Sequence, residues 1–337
     1  MSDLRPAPLR IGPIELANRV SLAPMSGISD LPFRRIARRL GAGLVFSEMV
    51  ASDRLVAGEV EAAMKAECAG IAPRAVQLAG CRAGDMAEAA RMVESNGADL
   101  IDINMGCPAK RVVGGLAGSA LMRDLDHAVG LIRAVRSAVS VPVTVKMRLG
   151  WDHASINAPE LARRAEAEGI SLVTVHGRTR QQFYKGEADW DAIRPVVEAV
   201  SIPVIANGDC ADAAGARDML ARSGASGVMV GRAATGRPWL PGAIAAALDD
   251  GGEVRRPREA GALMLELAEA TVAHYGAEIG VRCVRKHLTV ALTDVAGDGT
   301  VAERPGLRRA ILTEDDPGRL LPLVEAWFAE TPEELAA

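Results

Sequence analysis

The sequence predicts an α/β fold, a TIM (β/α)8 barrel followed by a small all-helical C-terminal domain. Eight short apolar runs alternate with amphipathic helical patterns, and the segment that holds them has roughly the 250 residues typical of such barrels. After about residue 240 the strand-like runs end. An open, doubly wound sheet would need a G-x-G-x-x-G turn after its first strand, and Pro24 to Gly27 do not provide one.

Each predicted strand is short and almost continuously apolar, as is typical of parallel strands buried on both faces. The eight runs are Val20–Ala23, Leu44–Ser47, Ala75–Leu78, Leu100–Ile103, Val143–Lys146, Leu172–Val175, Val204–Ala206 and Gly227–Val230. The helical patterns between them are Asp30–Leu40, Asp85–Asn96, Leu125–Ala138, Pro159–Glu168, Trp190–Ala199 and Ala211–Arg222. Further helices are predicted at Glu259–Tyr275, Ile279–Val295 and Pro317–Phe328. We therefore place the barrel at 1–245, a linker at 246–256 and a helical domain at 257–337.

Composition narrows the class of protein. Hydrophobic residues make up 49% of the chain and charged residues 24%, which is typical of a soluble globular protein. No apolar run approaches the ~20 residues that span a bilayer, and the N-terminus has no signal-peptide pattern. The five cysteines form no C-x-x-C pair, which argues against a disulfide framework and a structural zinc site. We expect a cytoplasmic monomer with no metal and no membrane contact.

The charge is unevenly distributed. The formal net charge is −4, but residues from 241 onward carry 10 basic and 17 acidic side chains, and the rest of the chain carries 29 basic and 26 acidic ones. Any contact with a nucleic acid must therefore come from local basic clusters rather than from a generally basic surface.

Unusual polar motifs directly follow or end the predicted strands. Because the carboxyl ends of the strands of a TIM barrel meet at the face where active sites lie, we expect these motifs to surround one opening. The motifs are Pro24-Met25-Ser26, Gln77, Asn104-Met105-Gly106-Cys107-Pro108, Lys146-Met147-Arg148, His176-Gly177-Arg178, Asn207-Gly208-Asp209 and Gly231-Arg232.

The last two motifs predict a phosphate site. Gly208 and Gly231 allow the backbone to approach a ligand closely, and backbone amides together with Arg232 can hold a dianion. Loops after the seventh and eighth strands are a common phosphate site in barrels. Either glycine alone would indicate only a tight turn, whereas the pair with Arg232 favours phosphate.

Three reactive side chains at this face have competing interpretations. Lys146 ends a buried strand, where it either faces an anionic group of a ligand or forms a salt bridge with Asp102 or Glu48. Cys107 lies in a Gly-Cys-Pro loop, where an exposed thiol can donate a proton, although an isolated cysteine is commonly a small buried side chain. His176 is either a ligand-binding group or a satisfied structural one.

These motifs, in this order, resemble the tRNA-dihydrouridine synthase family, and most of all its bacterial B-type branch. The similarity covers residues 10 to about 290, and the pair N-M-G-C-P and H-G-R-T-R is highly specific. The matching strings are Ala23-Pro24-Met25-Ser26-Gly27, Ile103 to Lys110, Val145 to Trp151, Val175 to Arg180, Ile205 to Asp209, Gly231 to Ala234 and Gly236-Arg237-Pro238-Trp239.

The resemblance implies an FMN-dependent reductase that converts uridine in tRNA to 5,6-dihydrouridine. It implies that NADPH reduces FMN, that the flavin delivers hydride to C6 of uridine, and that Cys107 protonates C5. By similarity, Asn104 and Arg178 face the target base. The residues implied to bind FMN are Pro24, Met25, Ser26, Gln77, Lys146, His176, Asn207, Gly208, Asp209, Gly231 and Arg232.

Two segments bear on RNA contacts. After Lys110-Arg111-Val112 the chain has Val113-Gly114-Gly115, where relatives often have basic or amide residues, and the glycines favour a mobile lid over Cys107. The R-x-x-R-K-H string places Arg282, Arg285 and Lys286 on one helix as candidates for phosphate contacts. The alternative is an ordinary solvated helix face, which the acidic C-terminal region supports.

Two other functions remain open from the sequence. The first is an FMN barrel that acts on a small molecule, such as a dihydropyrimidine or dihydroorotate dehydrogenase, which would not need the C-terminal helices. The second is an RNA-binding protein without catalysis. The presence of Cys107, Lys146 and His176 argues against the second.

Overall fold

The computed structural model describes residues 8–254, 256–294 and 304–329. Within these residues eight parallel strands form a closed barrel, which confirms the predicted TIM barrel. A two-stranded antiparallel hairpin, β1 (Arg10–Ile11) and β2 (Ile14–Glu15), precedes it. The barrel strands are β3 (Val20–Leu22), β4 (Leu44–Ala51), β5 (Ala75–Ala79), β6 (Leu100–Met105), β7 (Val143–Arg148), β8 (Leu172–His176), β9 (Val204–Asn207) and β10 (Gly227–Val230).

Helices surround the barrel and continue after it. Those of the barrel region are α1 (Leu31–Arg39), α2 (Ser52–Val56), α3 (Val60–Ala66), α4 (Ala83–Ser95), α5 (Lys110–Gly114), α6 (Leu125–Ala138), α7 (Ala158–Ala167), α8 (Arg194–Ala199), α9 (Ala213–Ser223) and α10 (Leu240–Asp250). The C-terminal helices are α11 (Ala260–Tyr275), α12 (Ala277–Asp294), α13 (Pro305–Thr313) and α14 (Pro317–Phe328). None of the helices in the described part of the chain is long and apolar enough to cross a membrane.

The barrel strands alternate between an outer and an inner row of side chains, because successive residues of a strand point to opposite faces. The outer row is apolar and packs on the helices, as Val173 and Val175 of β8 do. The inner row is apolar at the amino end of the strand and polar at its carboxyl end. In β8 it begins with apolar Leu172, which belongs to a separate inner cluster, and continues with Thr174 and His176.

All eight predicted strands are present, but most extend further than predicted. The strand β4 continues from the predicted end at Ser47 to Ala51, and β7 continues past Lys146 to Arg148. Polar inner residues interrupt the apolar run without ending the strand, because their hydrogen-bonded backbone continues to pair with its neighbours. The short helices α2, α3 and α5, together with α10 and α13, were not predicted.

The helix α10 occupies part of the segment predicted as a linker at 246–256. It runs to Asp250 and ends at Gly251, whose left-handed φ of 70° suits glycine at a helix end. Its buried residues, such as Ile244, belong to the core of the barrel. The next helix begins at Ala260, and the predicted helix end at Val295 lies outside the described residues.

The C-terminal helices pack against the barrel and share its core. Val284 and Leu288 of α12 are buried in the same apolar cluster as the barrel helices. His287 stacks on Phe33 of α1 with ring centres 4.6 Å apart, and its Nδ1 accepts a hydrogen bond from Gly236 N. Burial lowers the pKa of His287 to about 4, so this contact is made by a neutral ring.

Candidate active site

A cavity of about 920 Å³ opens at the carboxyl ends of the barrel strands. Its size lies at the upper end of typical ligand sites. Nine of the predicted site residues line it: Pro24, Met25, Ser26, Gln77, Asn104, Cys107, Lys146, His176 and Arg232. The predicted convergence of the strand-end motifs on one opening is therefore confirmed for these residues.

A buried hydrogen-bond network forms below the cavity. The register pairs Gln77 of β5 with Asp102 of β6, and Asp102 with Thr144 of β7. Gln77 Nε2 and Thr144 Oγ1 donate to the Asp102 carboxylate at 2.7 and 2.6 Å. Burial raises the pKa of Asp102 to about 6, although these two hydrogen bonds favour its charged form. The network fixes Gln77 at the cavity wall.

Asn104 holds the loop that carries Cys107. Its Oδ1 accepts hydrogen bonds from Gly106 N and Cys107 N, at 3.1 and 2.9 Å. Its Nδ2 donates to Gln77 Oε1 at 2.8 Å. Asn104 therefore lines the cavity as predicted, but its amide oxygen supports the loop.

A second set of contacts fixes Cys107 from the other side. The Cys107 carbonyl accepts hydrogen bonds from Ser119 N and Ser119 Oγ. Gly118 has φ +59°, and a Cβ there would lie 2.8 Å from the Cys107 carbonyl, so only glycine fits. Burial raises the pKa of the half-buried Cys107 thiol, which keeps it protonated near neutral pH.

The Lys146 side chain extends from β7 to the carboxyl end of β9. Its Nζ donates to Asn207 Oδ1 at 2.9 Å, and Asn207 Nδ2 donates to Met229 O at 2.8 Å. Within the described residues no ion pair joins Lys146 to Asp102 or Glu48, so the salt-bridge alternative is not observed. Burial, helped by the charge of Arg148, lowers the pKa of Lys146 to about 8. The ammonium group is thus held at a site that lacks a direct counter-charge.

Arg178 lies behind the cavity wall and is 1% exposed. Its five N–H groups are used by His176 Nε2, by both Asp209 oxygens and by the carbonyls of Lys185 and Gly186. The structure therefore contradicts the prediction that Arg178 faces the target base, because no N–H remains for it. The guanidinium instead positions His176.

His176 is neutral and has one defined tautomer. Burial and the nearby cations Lys146 and Arg148 lower its pKa well below the usual value. Since Arg178 donates to Nε2 at 3.2 Å, that nitrogen must accept, and the ring proton lies on Nδ1. The ring lines the cavity, which favours the ligand-binding interpretation over the structural one.

Asp209 connects two of the predicted motifs. Burial acts to raise its pKa, but hydrogen bonds from Arg178 and Ala188 N and the charges of Arg178 and Arg232 hold it below the usual value. Arg232 Nη2 lies 3.0 Å from Asp209 Oδ1 and remains more than half exposed. The Asp209 carboxylate thus aims Arg232 at the cavity, which that side chain lines.

The two glycines of the predicted phosphate site differ. At Gly208, with φ +121°, a Cβ would lie 2.6 Å from Ala188 Cβ and 2.9 Å from His176 Cδ2, so tight packing alone requires glycine. At Gly231 the nearest atoms to an added Cβ are Ala23 Cβ at 3.9 Å and Met25 Sδ at 4.0 Å. The backbone of Gly231 is therefore open to close approach.

Two further lining residues are Arg148, which belongs to the predicted strand-end motif Lys146-Met147-Arg148 but was given no role from the sequence, and Tyr184, which was not predicted. Arg148 donates from Nε to Gly106 O and from Nη1 to Thr179 O, both at 2.8 Å, and burial lowers its pKa to about 10. The Tyr184 ring lies 5.4 Å from the Arg148 Cζ and 5.0 Å from that of Arg232. Arg148 follows Lys146 by two residues on the same strand, which predicts that both side chains lie on the same face of the sheet. Tyr184 lies in a loop, where no sequence pattern predicted its position.

The R-x-x-R-K-H residues of α12 are mostly engaged within the protein. Arg285 Nη2 donates to Glu314 O at 2.6 Å and pairs with Asp315 at 2.8 Å. Lys286 Nζ donates to Gly27 O at 3.1 Å, next to the motif Pro24-Met25-Ser26 that is predicted to bind FMN. These contacts argue against the predicted phosphate contacts of Arg285 and Lys286. The Arg282 side chain is 63% exposed, with Glu278 3.8 Å away.

Comparisons with known proteins agree with this architecture. A family model described as dihydrouridine synthase matches residues 21–305. A probable tRNA-dihydrouridine synthase of Rhizobium leguminosarum bv. phaseoli is 53% identical over 90% of this chain and 93% of its own length. The tRNA-dihydrouridine synthase B of Pseudomonas putida is 46% identical over 83% of this chain and 84% of its own.

Solved structures support the fold at lower identity. Morphinone reductase in complex with tetrahydroNAD superimposes with a TM-score of 0.51 at 18% identity, over 74% of this chain and 92% of that one. Because the family model covers most of the sequence and the relatives match along nearly their whole length, the chain belongs to the tRNA-dihydrouridine synthase family, with B-type members among its relatives.

Proposed function

We propose that this chain reduces uridine in tRNA to 5,6-dihydrouridine, with FMN bound in the cavity and NADPH as the source of hydride. One observation carries the proposal. In a chain of this family, the Cys107 thiol and the Lys146 ammonium line the same cavity at the carboxyl ends of the barrel strands.

The cavity residues fit a flavin mononucleotide in two respects. The Lys146 ammonium has Asn207 as its hydrogen-bond partner and no ion pair among the described residues, so an anionic or carbonyl edge would complete its surroundings. Gly231 leaves its backbone open, and the partly exposed Arg232 is aimed by Asp209, which suits a phosphate group. When bound, FMN would supply hydride chemistry.

The other predicted FMN residues would contribute contacts around these two points. Pro24, Met25, Ser26, Gln77 and His176 line the cavity. Asn207, Gly208 and Asp209 position Lys146, His176 and Arg232 from behind. We assign the first group to direct contact and the second to support, with the backbone of the Asn207–Asp209 turn on the phosphate side.

Cys107 would donate the proton. Hydride addition at C6 of the uracil ring leaves an electron pair at C5, next to the C4 carbonyl, and this pair takes the thiol proton as the S–H bond breaks. The resulting thiolate regains a proton from solvent. A proton donor must be protonated beforehand, and burial raises the pKa of Cys107 in that direction. Asn104 and Ser119 hold the donor loop in place.

The substrate must leave its base stack to reach this site. The cavity is open at the barrel end but lined by protein on its other sides, so a uridine inside helical RNA cannot enter without being displaced. We therefore propose single-stranded or distorted loop uridines of tRNA, such as those of the D-loop, as targets.

The test uses the full-length protein purified with its flavin. Incubation with unmodified tRNA transcript and NADPH should yield dihydrouridine by mass spectrometry. Cys107→Ala should lower the rate by about 10²- to 10⁴-fold while the visible flavin spectrum is retained. Cys81→Ala is the matched control, because Cys81 lines the same cavity.

Full product formation by Cys107→Ala would contradict the assigned proton donor. A protein purified without flavin that also fails to bind added FMN would contradict the cofactor. Reduction of free uracil or orotate as fast as tRNA would instead favour a small-molecule reductase on the same barrel.

A further inference from the structure

Two arginine side chains share one aromatic ring beside the cavity. The Cζ atoms of Arg123 and Arg180 lie over the Trp151 ring, 4.8 and 4.9 Å from its centre. We call these three residues the Arg123–Trp151–Arg180 cluster. The residues come from three segments of the chain, and cation–π contacts hold the two guanidinium groups in fixed positions.

The cluster has no internal counter-charge. Within the described residues neither Arg123 nor Arg180 has a carboxylate within ion-pair distance, and Arg180 Nε is buried without a hydrogen-bond partner. The nearby carboxylate of Asp152 accepts hydrogen bonds from Ser155 Oγ and Ala154 N, which close its own turn.

Other arginines on the barrel differ in this respect. Arg133 pairs with Glu168, and Arg163 pairs with Glu160. Two guanidinium groups over one ring, without a carboxylate partner, leave an uncompensated positive charge, so this arrangement favours an external anion. The cluster therefore differs from an ordinary solvated charged surface.

The cluster lies in the segments that follow the carboxyl ends of β6, β7 and β8, at the same end of the barrel as the cavity. Thr179, the residue before Arg180, accepts through its carbonyl from Arg148, which lines the cavity. Arg123 ends the 3-10 turn that begins beside Ala117, another lining residue.

We propose that the Arg123–Trp151–Arg180 cluster binds backbone phosphates of the RNA strand that flanks the reduced uridine. The proposal rests on the function proposed above. Guanidinium groups bind phosphate through paired N–H donors, and within the described part of the chain the Arg123 guanidinium has no hydrogen-bond acceptor and no ion pair. Since two guanidinium groups already lie over the Trp151 ring, phosphate rather than a stacked base is the expected ligand.

Binding of unmodified tRNA transcript by the flavin-loaded protein, measured over a series of salt concentrations, tests this. Arg123→Gln removes one charge and should weaken binding several-fold at low salt. It should also make the slope of log K against log salt less steep by about 0.7 for each single-strand phosphate that the variant no longer neutralises. The Kd for FMN and the flavin spectrum should stay at the wild-type values.

Arg10→Gln is the matched control, because it removes an exposed arginine from the hairpin at the opposite end of the barrel. A salt slope of Arg123→Gln equal to that of Arg10→Gln would overturn the proposal. Arg180→Lys, which keeps the charge but loses the planar fork, should weaken binding while preserving the slope; wild-type affinity in this variant would also count against the cluster.

The proposed function and the cluster can fail separately in this experiment. Wild-type protein that neither binds tRNA nor forms dihydrouridine would remove the proposed function and the cluster together. Wild-type protein that forms dihydrouridine, with an Arg123→Gln variant of unchanged affinity and slope, would overturn the cluster alone.

Discussion

The two ends of the barrel are built from the same strands but differ in almost every physical property. At the amino end, the hairpin residues Leu9, Ile11 and Leu16 pack with Phe46 and Leu172, and the remaining space is about 10 Å³. At the carboxyl end the cavity measures about 920 Å³ and contains charged side chains. The inner residues of a strand thus serve packing at one end and chemistry at the other.

This separation has an energetic reason. Buried apolar side chains at the amino end stabilise the fold by about 1.5–3 kcal/mol each. At the carboxyl end, the half-buried Lys146 and the buried Arg148 lose solvation energy, in agreement with their lowered pKa values. The barrel tolerates charged side chains around a cavity at one end because apolar packing at the other end offsets their loss of solvation energy. Measurements at both ends test this contrast.

The largest effect is expected at the closed end. Phe46 is 1% exposed, and Phe46→Ala should lower the free energy of unfolding by about 3–5 kcal/mol in urea denaturation. The reason is loss of burial together with a cavity in tightly packed surroundings. Val60→Ala is the control: Val60 is 74% exposed, and a change within about 0.5 kcal/mol is expected. A decrease below about 1 kcal/mol for Phe46→Ala would contradict the contrast.

At the open end, charge removal should affect activity rather than stability. Lys146→Met should lower the rate of dihydrouridine formation by about 10²-fold, comparable to the loss of one charge-stabilising donor. Its free energy of unfolding should not fall, because a buried charge is replaced by an apolar group of similar length. Lys65→Met, which changes another lysine of the cavity wall, is the control for the rate. A large decrease in the stability of Lys146→Met would show that Lys146 stabilises the fold.

The smallest effect concerns pH. The pKa of Lys146 is about 8 in the folded protein, below its ordinary value of 10.5, so between these values the unfolded state binds more protons. The contribution of Lys146 to stability therefore rises with pH across this window, by up to ~1.4 kcal/mol per pH unit. To measure this contribution, the free energy of unfolding is determined for wild type and Lys146→Met at about pH 7 and at about pH 9.5, a range that covers more than half of the window. The difference between the two proteins should change with pH in favour of wild type.

The activity should also depend on the protonation of Lys146, but it should fall rather than rise with increasing pH. Because the proposed role of Lys146 requires the protonated ammonium, kcat/KM should fall by at most about tenfold per pH unit above the pKa of Lys146 in the free enzyme. Lys146→Arg, which stays charged, should lose this limb of the profile. Persistence of the limb in Lys146→Arg would assign it to another group.

Local sequence patterns predicted all eight barrel strands and the longer amphipathic helices, but missed α2, α3, α5, α10 and α13 and many of the element ends. The helix α6 was predicted with the observed bounds, because its apolar spacing is regular and Asp124 caps it. The strands β6 and β7 extend past their predicted ends, because the polar residues Asn104 and Lys146 resemble breaks in an apolar run. Asn104 finds a polar partner in Gln77 of the neighbouring strand β5, and Lys146 finds one in Asn207 of β9, two strands away in the closed sheet.

The site was predicted where a residue's role depends on its own motif, and missed where it depends on a distant partner. Cys107 and Lys146 line the cavity as expected. Arg178 and Arg285 were assigned to RNA because the sequence does not show that Asp209 and Asp315 would bind them. A sequence does not show whether the N–H groups of an arginine are free to bind a ligand, because their acceptors lie in distant segments of the chain.

The sequence by itself determined the alternation of strands and helices, the end of the strand pattern near residue 240 and the family, because each depends on residues close together in the chain or on intact motifs. Only the tertiary structure decided which arginine side chains form internal hydrogen bonds. Among the described residues, it also decided which arginines have no carboxylate partner, as in the Arg123–Trp151–Arg180 cluster. The physical reason is that closure of the barrel brings together groups from distant segments, and their distances set each charge's partners, burial and pKa.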